Sequence, residues 1–374
     1  MATEAEKRTG LYANDKLFFK NFRGGYITAE YFWRDHQSWL QEQGYMLRPR
    51  YHPDWKASWA GTKKDDEDFE DGLVPMRLVI MDAIRISDGR VVVLKKVNKA
   101  VHPYEVEIGK LFSAEPLASD CRNHSVPIYD VLQSPLDEST VFLVMPYLMR
   151  HHELRFETIG EAVECFRQLF EGLEFIHSQH VAHRDIMVFN VMLDLAPLYS
   201  ETPHPVNRGR SYDFQRRVRR FTRTERPVKY YYIDFGISRI YASDDTSPLE
   251  DIIVGGDKSV PEFEGTDEPQ NPFWTDIYYL GNLIRTGFLE RAYGFEFMQP
   301  LINDMVQKDP SKRPTVGQAR SRFEELRGSL SERKLRSRVV YGDEFAVTGL
   351  FRSLKHYFRA RKHAWQGTSA LPTP

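Results

Sequence analysis

The run HRDIMVFN places Asp185 after His183 and Arg184, and Asn190 five residues beyond the aspartate. Farther along, Asp234 stands in IDFG; earlier come Lys95 and, ten residues on, Glu105. The Asp185 carboxylate can orient a hydroxyl and accept its proton. Asn190 and Asp234 offer hard oxygens suited to a Mg²⁺ ion that bridges phosphates. Phosphoryl transfer asks for such positioning and charge neutralisation more than for covalent help. Singly, each residue has a plainer meaning. Lys95 would be an exposed strand lysine, Glu105 part of a solvated helix face, and Asp185 and Asn190 turn residues. The argument rests on their order and spacing.

The chain that positions them has 374 residues, 41% hydrophobic and 28% charged, enough for one large core or two lobes. A net charge of −2 supplies no global field toward nucleic acid or a membrane, and nucleic acid is not an expected partner. Two cysteines without metal-ligand spacing read as buried thiols of a reducing, intracellular setting, cytoplasmic or nuclear. The charged N-terminus is no signal peptide, and no apolar run is long enough to span a bilayer. TAEYFWRDHQSWLQEQG predicts a helix from Thr28 to Gly44. KKDDEDFEDG, 63–72, reads as a charged linker. Two β-rich runs flank Asp88-Gly89, a hairpin signal, and Pro103 opens a short helix through Phe112. TVFLVMPYL is an apolar strand ended by Pro146. Thr158 and Glu161 form a capping box before a buried helix whose apolar residues recur at steps of three and four. That helix runs into HVAHRD.

VVLK (92–95), Glu105, HRDIMVFN, IDFG (233–236), VPE (260–262), DIYYLG (276–281) and DPSKRPT (309–315) occur in this order. The set resembles the eukaryotic protein kinase superfamily over about residues 75–326. The flanking sequence resembles a divergent kinase-like family abundant in fungi. The resemblance implies an α+β, bilobal protein-kinase-like fold with a small β-rich N-lobe and a larger helical C-lobe. It divides the chain into an extension (1–72), an N-lobe (73–146), a C-lobe (147–326, with a basic insert at 197–227) and a basic tail (327–374). It implies ATP and Mg²⁺, with Asn190 and Asp234 on the metal and a protein as substrate. Lys95 would hold the α- and β-phosphates, fixed by Glu105. Lys96 should face the other way by strand alternation, and Glu105 is preferred to Glu107 because Ile108 then takes the apolar position. Met145 would be the gatekeeper, Pro146 C=O and Leu148 N–H the adenine edge, Val93 the ceiling and Met192 the floor. Glu262 and Arg313 would form a buried ion pair, and Asp276 would brace the catalytic loop.

The pattern also breaks. No Gly-x-Gly-x-x-Gly precedes Lys95, Val93 replaces a smaller residue, and Met187 stands where the family carries a lysine. Lys258 in GGDKSVPE is a candidate substitute cation. The stretch from Asn190 to Asp234 is far longer than the usual hairpin and holds RGRSYDFQRRVRRFTRTERP. Its composition suggests a solvated, largely disordered loop, or a dock for an acidic partner. In the tail, Val347, Leu350, Phe351, Leu354, Tyr357 and Phe358 share one helix face, with basic residues around the rest. Burial of that face against the C-lobe is expected, with a membrane-surface helix as the alternative. Functionally, the set suggests a protein kinase acting on Ser or Thr, since no Arg stands two or four residues after Asp185. The alternatives are a pseudokinase scaffold and a small-molecule phosphotransferase. The scaffold residues VPE, Asp276 and Arg313 argue against the last.

Overall fold

The structure is a computed structural model that describes residues 25–75, 77–253 and 256–374. The first ten residues, read above as no signal peptide, lie outside that range. The protein is α+β and divides into two compact units, Met1–Leu94 with Pro203–Val218, and Lys95–Thr202 with Arg219–Pro374.

The first unit holds helix α1 (Glu30–Glu42) and strands β1 (Tyr45–Leu47) and β2 (Ile80–Arg85); β3 (Val91–Asn98) begins in it. Trp33 and Leu40 bury the apolar side of α1, and Gly44, at φ +91°, lets the chain turn into β1. β1 pairs antiparallel with β2, Tyr45 opposite Arg85. The Asp88-Gly89 hairpin is present, closed by Arg85 N–H donating to Arg90 O at 2.8 Å. β1 was not anticipated, and no short glycine turn joins it to β2. Residues 48–79 intervene instead, and the end of the charged run 63–72 packs into the fold while Lys63, Lys64, Asp65, Glu67 and Asp68 are exposed. Asp71 accepts from the Trp55 indole and from Ser58 N–H, both at 2.9 Å. Arg48 reaches Glu70 and Asp82 at 3.3 and 3.2 Å. Arg50 meets Glu30 through two bonds of 2.5 and 2.9 Å. Buried guanidinium groups of this kind are stabilised when carboxylates and carbonyls take their protons. Arg50 is met in this way by Glu30 and the Asp71 and Gly25 carbonyls, and Arg48 Nη1 by Glu70 and the Leu73 carbonyl.

The second unit contains the end of β3, then α2 (Pro103–Ser113), β4 (Asp130–Gln133), β5 (Thr140–Pro146), β6 (Leu148–Arg150), α3 (Ile159–Ser178), β7 (Val181–Ala182), β8 (Val191–Asp194), β9 (Tyr230–Tyr232) and β10 (Arg239–Ile240). After these come α4 (Pro272–Ile284), β11 (Ala292–Tyr293), α5 (Gln299–Met305), α6 (Val316–Ser329), α7 (Glu332–Leu335), β12 (Val340–Tyr341) and α8 (Ala346–Trp365). β4 runs antiparallel to β5, β6-β8-β9 form a small sheet, and β7 pairs with β10. α3 is the central buried helix. The Thr158 hydroxyl accepts from Glu161 N–H at 3.0 Å, while the Glu161 carboxylate reaches Glu157 N–H rather than completing the reciprocal bond. Phe170 of α3 stacks on Phe323 of α6 at 4.9 Å.

Three expectations are overturned. Cys121 is exposed; only Cys165 is buried. The basic insert is ordered and packed rather than disordered. In the first unit, Tyr212 Oη donates to Asp82 at 2.7 Å, and the fully buried His204 packs edge-on against Phe214. In the second unit, buried Arg223 donates to the carbonyls of His151 and Leu154 and lies 4.1 Å above the Phe156 ring. Thr224 caps the Glu161 carboxylate through its N–H and hydroxyl. Composition misled here because a few of its side chains, Arg223, Tyr212 and Thr224 among them, find partners within the fold. The tail helix α8 is also inverted relative to expectation: it turns its aromatic face to solvent and its polar face inward.

Arg223→Met should strip buried carbonyls of their donor, at about 1–3 kcal/mol for each acceptor left unpaired. Urea denaturation should show this loss, and excision of residues 203–218 should lower stability as well. Unchanged midpoints for both variants would contradict this packing.

Candidate active site

β3 carries Lys95 on the same side as Val93, opposite to Val92 and Leu94, as strand alternation requires. The Lys95 ammonium is shared by two carboxylates. It bonds Glu105 Oε1 of α2 and, at 2.7 Å, Asp234 Oδ1. Burial alone would depress the lysine pKa, but Glu105 and Asp234 outweigh it and raise the value. Burial would likewise raise the Asp234 pKa, and Lys95 overrides it, holding the group below the usual carboxylate range. Glu105, and not Glu107, is thus the α2 partner. His102, just ahead of α2, adds a contact that sequence reading missed: its Nδ1 donates to Gly236 O at 2.9 Å, tying the start of α2 to the IDFG turn. Nothing in the sequence signalled this contact, which joins residues 134 positions apart.

The catalytic-loop candidate is held from below. Asp276 of α4 is fully buried and accepts from His183 N–H at 2.8 Å, Arg184 N–H at 2.7 Å and His177 Nε2 at 3.0 Å. Arg184 takes the left-handed φ of +67°, as does Asp234. His183 Nε2 faces Ile233 O at 3.1 Å and its Nδ1 accepts from Asp185 N–H, which assigns the proton to Nε2. The His183 ring lies 4.9 Å from Phe235, which lies 5.7 Å from Phe112 of α2. This aromatic row joins α2, the IDFG turn and the loop. The Arg184 guanidinium donates to Ile237 O and Asp251 O and meets Glu250 at 3.3 Å, a partner for which the sequence carried no signal.

Asn190 Nδ2 donates to Asp185 O at 2.9 Å and to Asp185 Oδ2 at 2.7 Å. Burial, with Asp234 nearby, pushes the Asp185 pKa up. Its other oxygen, Oδ1, is buried without a hydrogen-bond partner among the described residues. Gly256, at φ +74°, lies against it, so that a Cβ there would stand 2.8 Å from Oδ1. Lys258, two residues on, is exposed and makes no hydrogen bond or ion pair among the described residues. Met187 is half-buried.

Of the adenine-site candidates, Met145 and Pro146 end β5 and are half-buried, and Leu148 opens β6. Met145 packs on the Val97, Val141 and Leu143 cluster. Met192 sits in β8 opposite Arg150 and Tyr231, on the face away from buried Val191 and Leu193. Val93 is half-buried in the stretch of β3 that belongs to the first unit. Among the described residues, no cluster of three or more His, Cys, Asp or Glu could by itself hold a metal ion.

Glu262 and Arg313 form a two-pronged bond of 2.7 and 2.6 Å, with Arg313 also donating to the carbonyls of Gln307 and Trp274. Both side chains are almost wholly buried. Arg313→Ala leaves a buried carboxylate uncompensated and should cost about 3–5 kcal/mol. Thermal unfolding measures this without reference to catalysis, and an unchanged midpoint would contradict it.

The family model for the protein kinase domain matches residues 79–252. No curated protein shows significant similarity to the chain. The matched segment holds Lys95, Glu105, Asp185, Asn190 and Asp234, and by that match this part of the chain belongs to the protein kinase superfamily.

Proposed function

We propose that the protein moves the γ-phosphoryl group of ATP to Ser or Thr hydroxyls of protein substrates. The reading rests chiefly on the Lys95 ammonium held between Glu105 and Asp234. Lys95 positions the α- and β-phosphates, and Glu105 keeps the ammonium in place. Asp185 orients the acceptor hydroxyl and takes its proton as the oxygen bonds to the γ-phosphorus and the bond to the β–γ bridging oxygen breaks, releasing ADP. Its raised pKa makes it a better proton acceptor than an ordinary carboxylate. The donor chemistry fits Mg²⁺: Asn190 spends its NH₂ on Asp185 and keeps its amide oxygen, and Asp234 has a second oxygen beyond the one that Lys95 bonds. When bound, the ion would neutralise charge on the phosphates. Within the second unit, Met145, Pro146, Leu148 and Met192 receive the adenine. The exposed guanidinium groups of the insert offer a surface for an acidic segment of a substrate. Arg184 is already matched by the Glu250 carboxylate, so the segment after IDFG is held without a phosphate.

Met187 leaves the loop without its cation, and we assign the substitute role to Lys258, which follows the glycine seated on Asp185 and has no ion-pair partner of its own among the described residues. Lys258→Ala should lower phosphoryl transfer about 10²–10³-fold, and adding Met187→Lys should restore part of it. A Lys258→Ala rate equal to wild type removes that role.

A pseudokinase reading draws on Met187, on residues 48–79 in place of a glycine turn, and on the covering of Asp185 Oδ1 by Gly256. Nucleotide binding by calorimetry with and without Mg²⁺ separates the two. The active reading expects Mg²⁺-dependent ATP binding that Asp234→Asn weakens, and turnover that Asp185→Asn abolishes. It also expects the acidic limb of the kcat/KM profile to lie above the ordinary Asp value of about 3.9, because the base must be ionised and its pKa is raised. Binding without turnover, or no binding, assigns the chain to the pseudokinases.

A further inference from the structure

Helix α8 (Ala346–Trp365) contains five Lys or Arg residues and no Asp or Glu. Its polar face is the one that docks on its own unit. His356 Nε2 donates to Arg336 O at 3.0 Å, Arg359 pairs with Glu157, Arg352 bonds Glu344 at 3.2 Å, and His363 is buried. The residues after the helix are anchored as well. Arg336 donates to Thr368 O at 2.6 Å and Thr373 to Glu164 at 3.2 Å. Gly160 leaves room for this return, since a methyl there would collide with the Ala370 carbonyl oxygen. The orientation is therefore clamped from Arg352 to His363, and it turns the opposite face outward. Phe351 and Phe358 are each 69% exposed, Leu350 62% and Trp365 88%.

A face this apolar is usually covered, and charge selects the cover. Lys355 and Lys362 border the face at helical spacing, and Arg361 lies over the Tyr357 ring within it. A second copy would set cation against cation. An anionic lipid surface complements both features: aromatic and aliphatic side chains enter the headgroup–acyl boundary while the flanking cations meet lipid phosphates and carboxylates. The near-neutral net charge of the chain does not oppose this, because attraction falls off within a Debye length and acts through the local cluster. No helix among the described residues is long and apolar enough to cross the bilayer. We propose that α8 is a surface anchor that seats the protein flat on membranes rich in anionic phospholipid.

The test is co-sedimentation of the full-length protein with vesicles of phosphatidylcholine alone, or with 30% phosphatidylserine by design (about the level that gives a strongly anionic surface). Binding is expected only to the anionic vesicles and should weaken as salt rises. Lys362→Ala should reduce partitioning about fivefold, and Leu354→Glu with Phe358→Glu should abolish it. All three sites are exposed, so the melting temperature should stay unchanged in these variants. Equal binding to neutral vesicles, or anionic binding that survives the double Glu variant, overturns the proposal. Absence of vesicle binding does so too, whether the wild type is monomeric or forms a dimer that the same two substitutions dissociate; the dimer would assign the face to a second copy.

Discussion

A single buried carboxylate fixes the geometry on which the candidate site depends. Asp276 has no exposure, so its charge must be met from within, and it is met by two successive backbone N–H groups and an imidazole. Serving both N–H groups of His183 and Arg184 requires the peptide between them to turn, and Arg184 pays with a left-handed φ. That turn sends the Arg184 guanidinium toward residues 237–251, sets the His183 ring beside Phe235, and presents Asp185 to Asn190. Lys95, Glu105 and Asp234 join through the same row, because Phe235 follows Asp234 and touches Phe112 of α2. A contact with no chemical task thus determines where the reactive groups stand.

Buried arginine is the recurring structural device. Arg48, Arg50, Arg223 and Arg313 are each nearly sealed from solvent, and each spreads its N–H groups over carboxylates or backbone carbonyls. A planar guanidinium can serve several acceptors at once, which an ammonium cannot do with the same geometry. This accounts for the order found in the charged run 63–72 and in the insert. Part of their charge is spent on fold contacts, through Glu70, Asp71 and Arg223, while most of the remaining charged side chains face solvent.

The tail helix uses the same chemistry to the opposite end. Ion pairs and histidine contacts dock its polar face, so apolar area is left outside rather than removed from water. Hydrophobic burial alone would have turned the helix over; the anchoring of residues on both sides of it holds the other orientation.

The local and periodic features were legible in the sequence. Helix α1 with its Gly44 stop, the Asp88-Gly89 turn, the Pro103 helix start and the Thr158 cap all follow from backbone preferences within a few residues. The spacing of Lys95, Glu105, Asp185, Asn190 and Asp234 was legible for a related reason: each stands at a fixed offset within a short motif. Pairings between distant segments were not legible. The pairing of β1 with β2 spans residues 48–79. Glu250 meets Arg184, Tyr212 meets Asp82, and His102 meets Gly236 across long stretches of chain. Periodicity told which face of α8 is apolar, but not which face is inward. That choice depended on acceptors in Glu157, Arg336 and Glu344, whose positions only the folded chain defines.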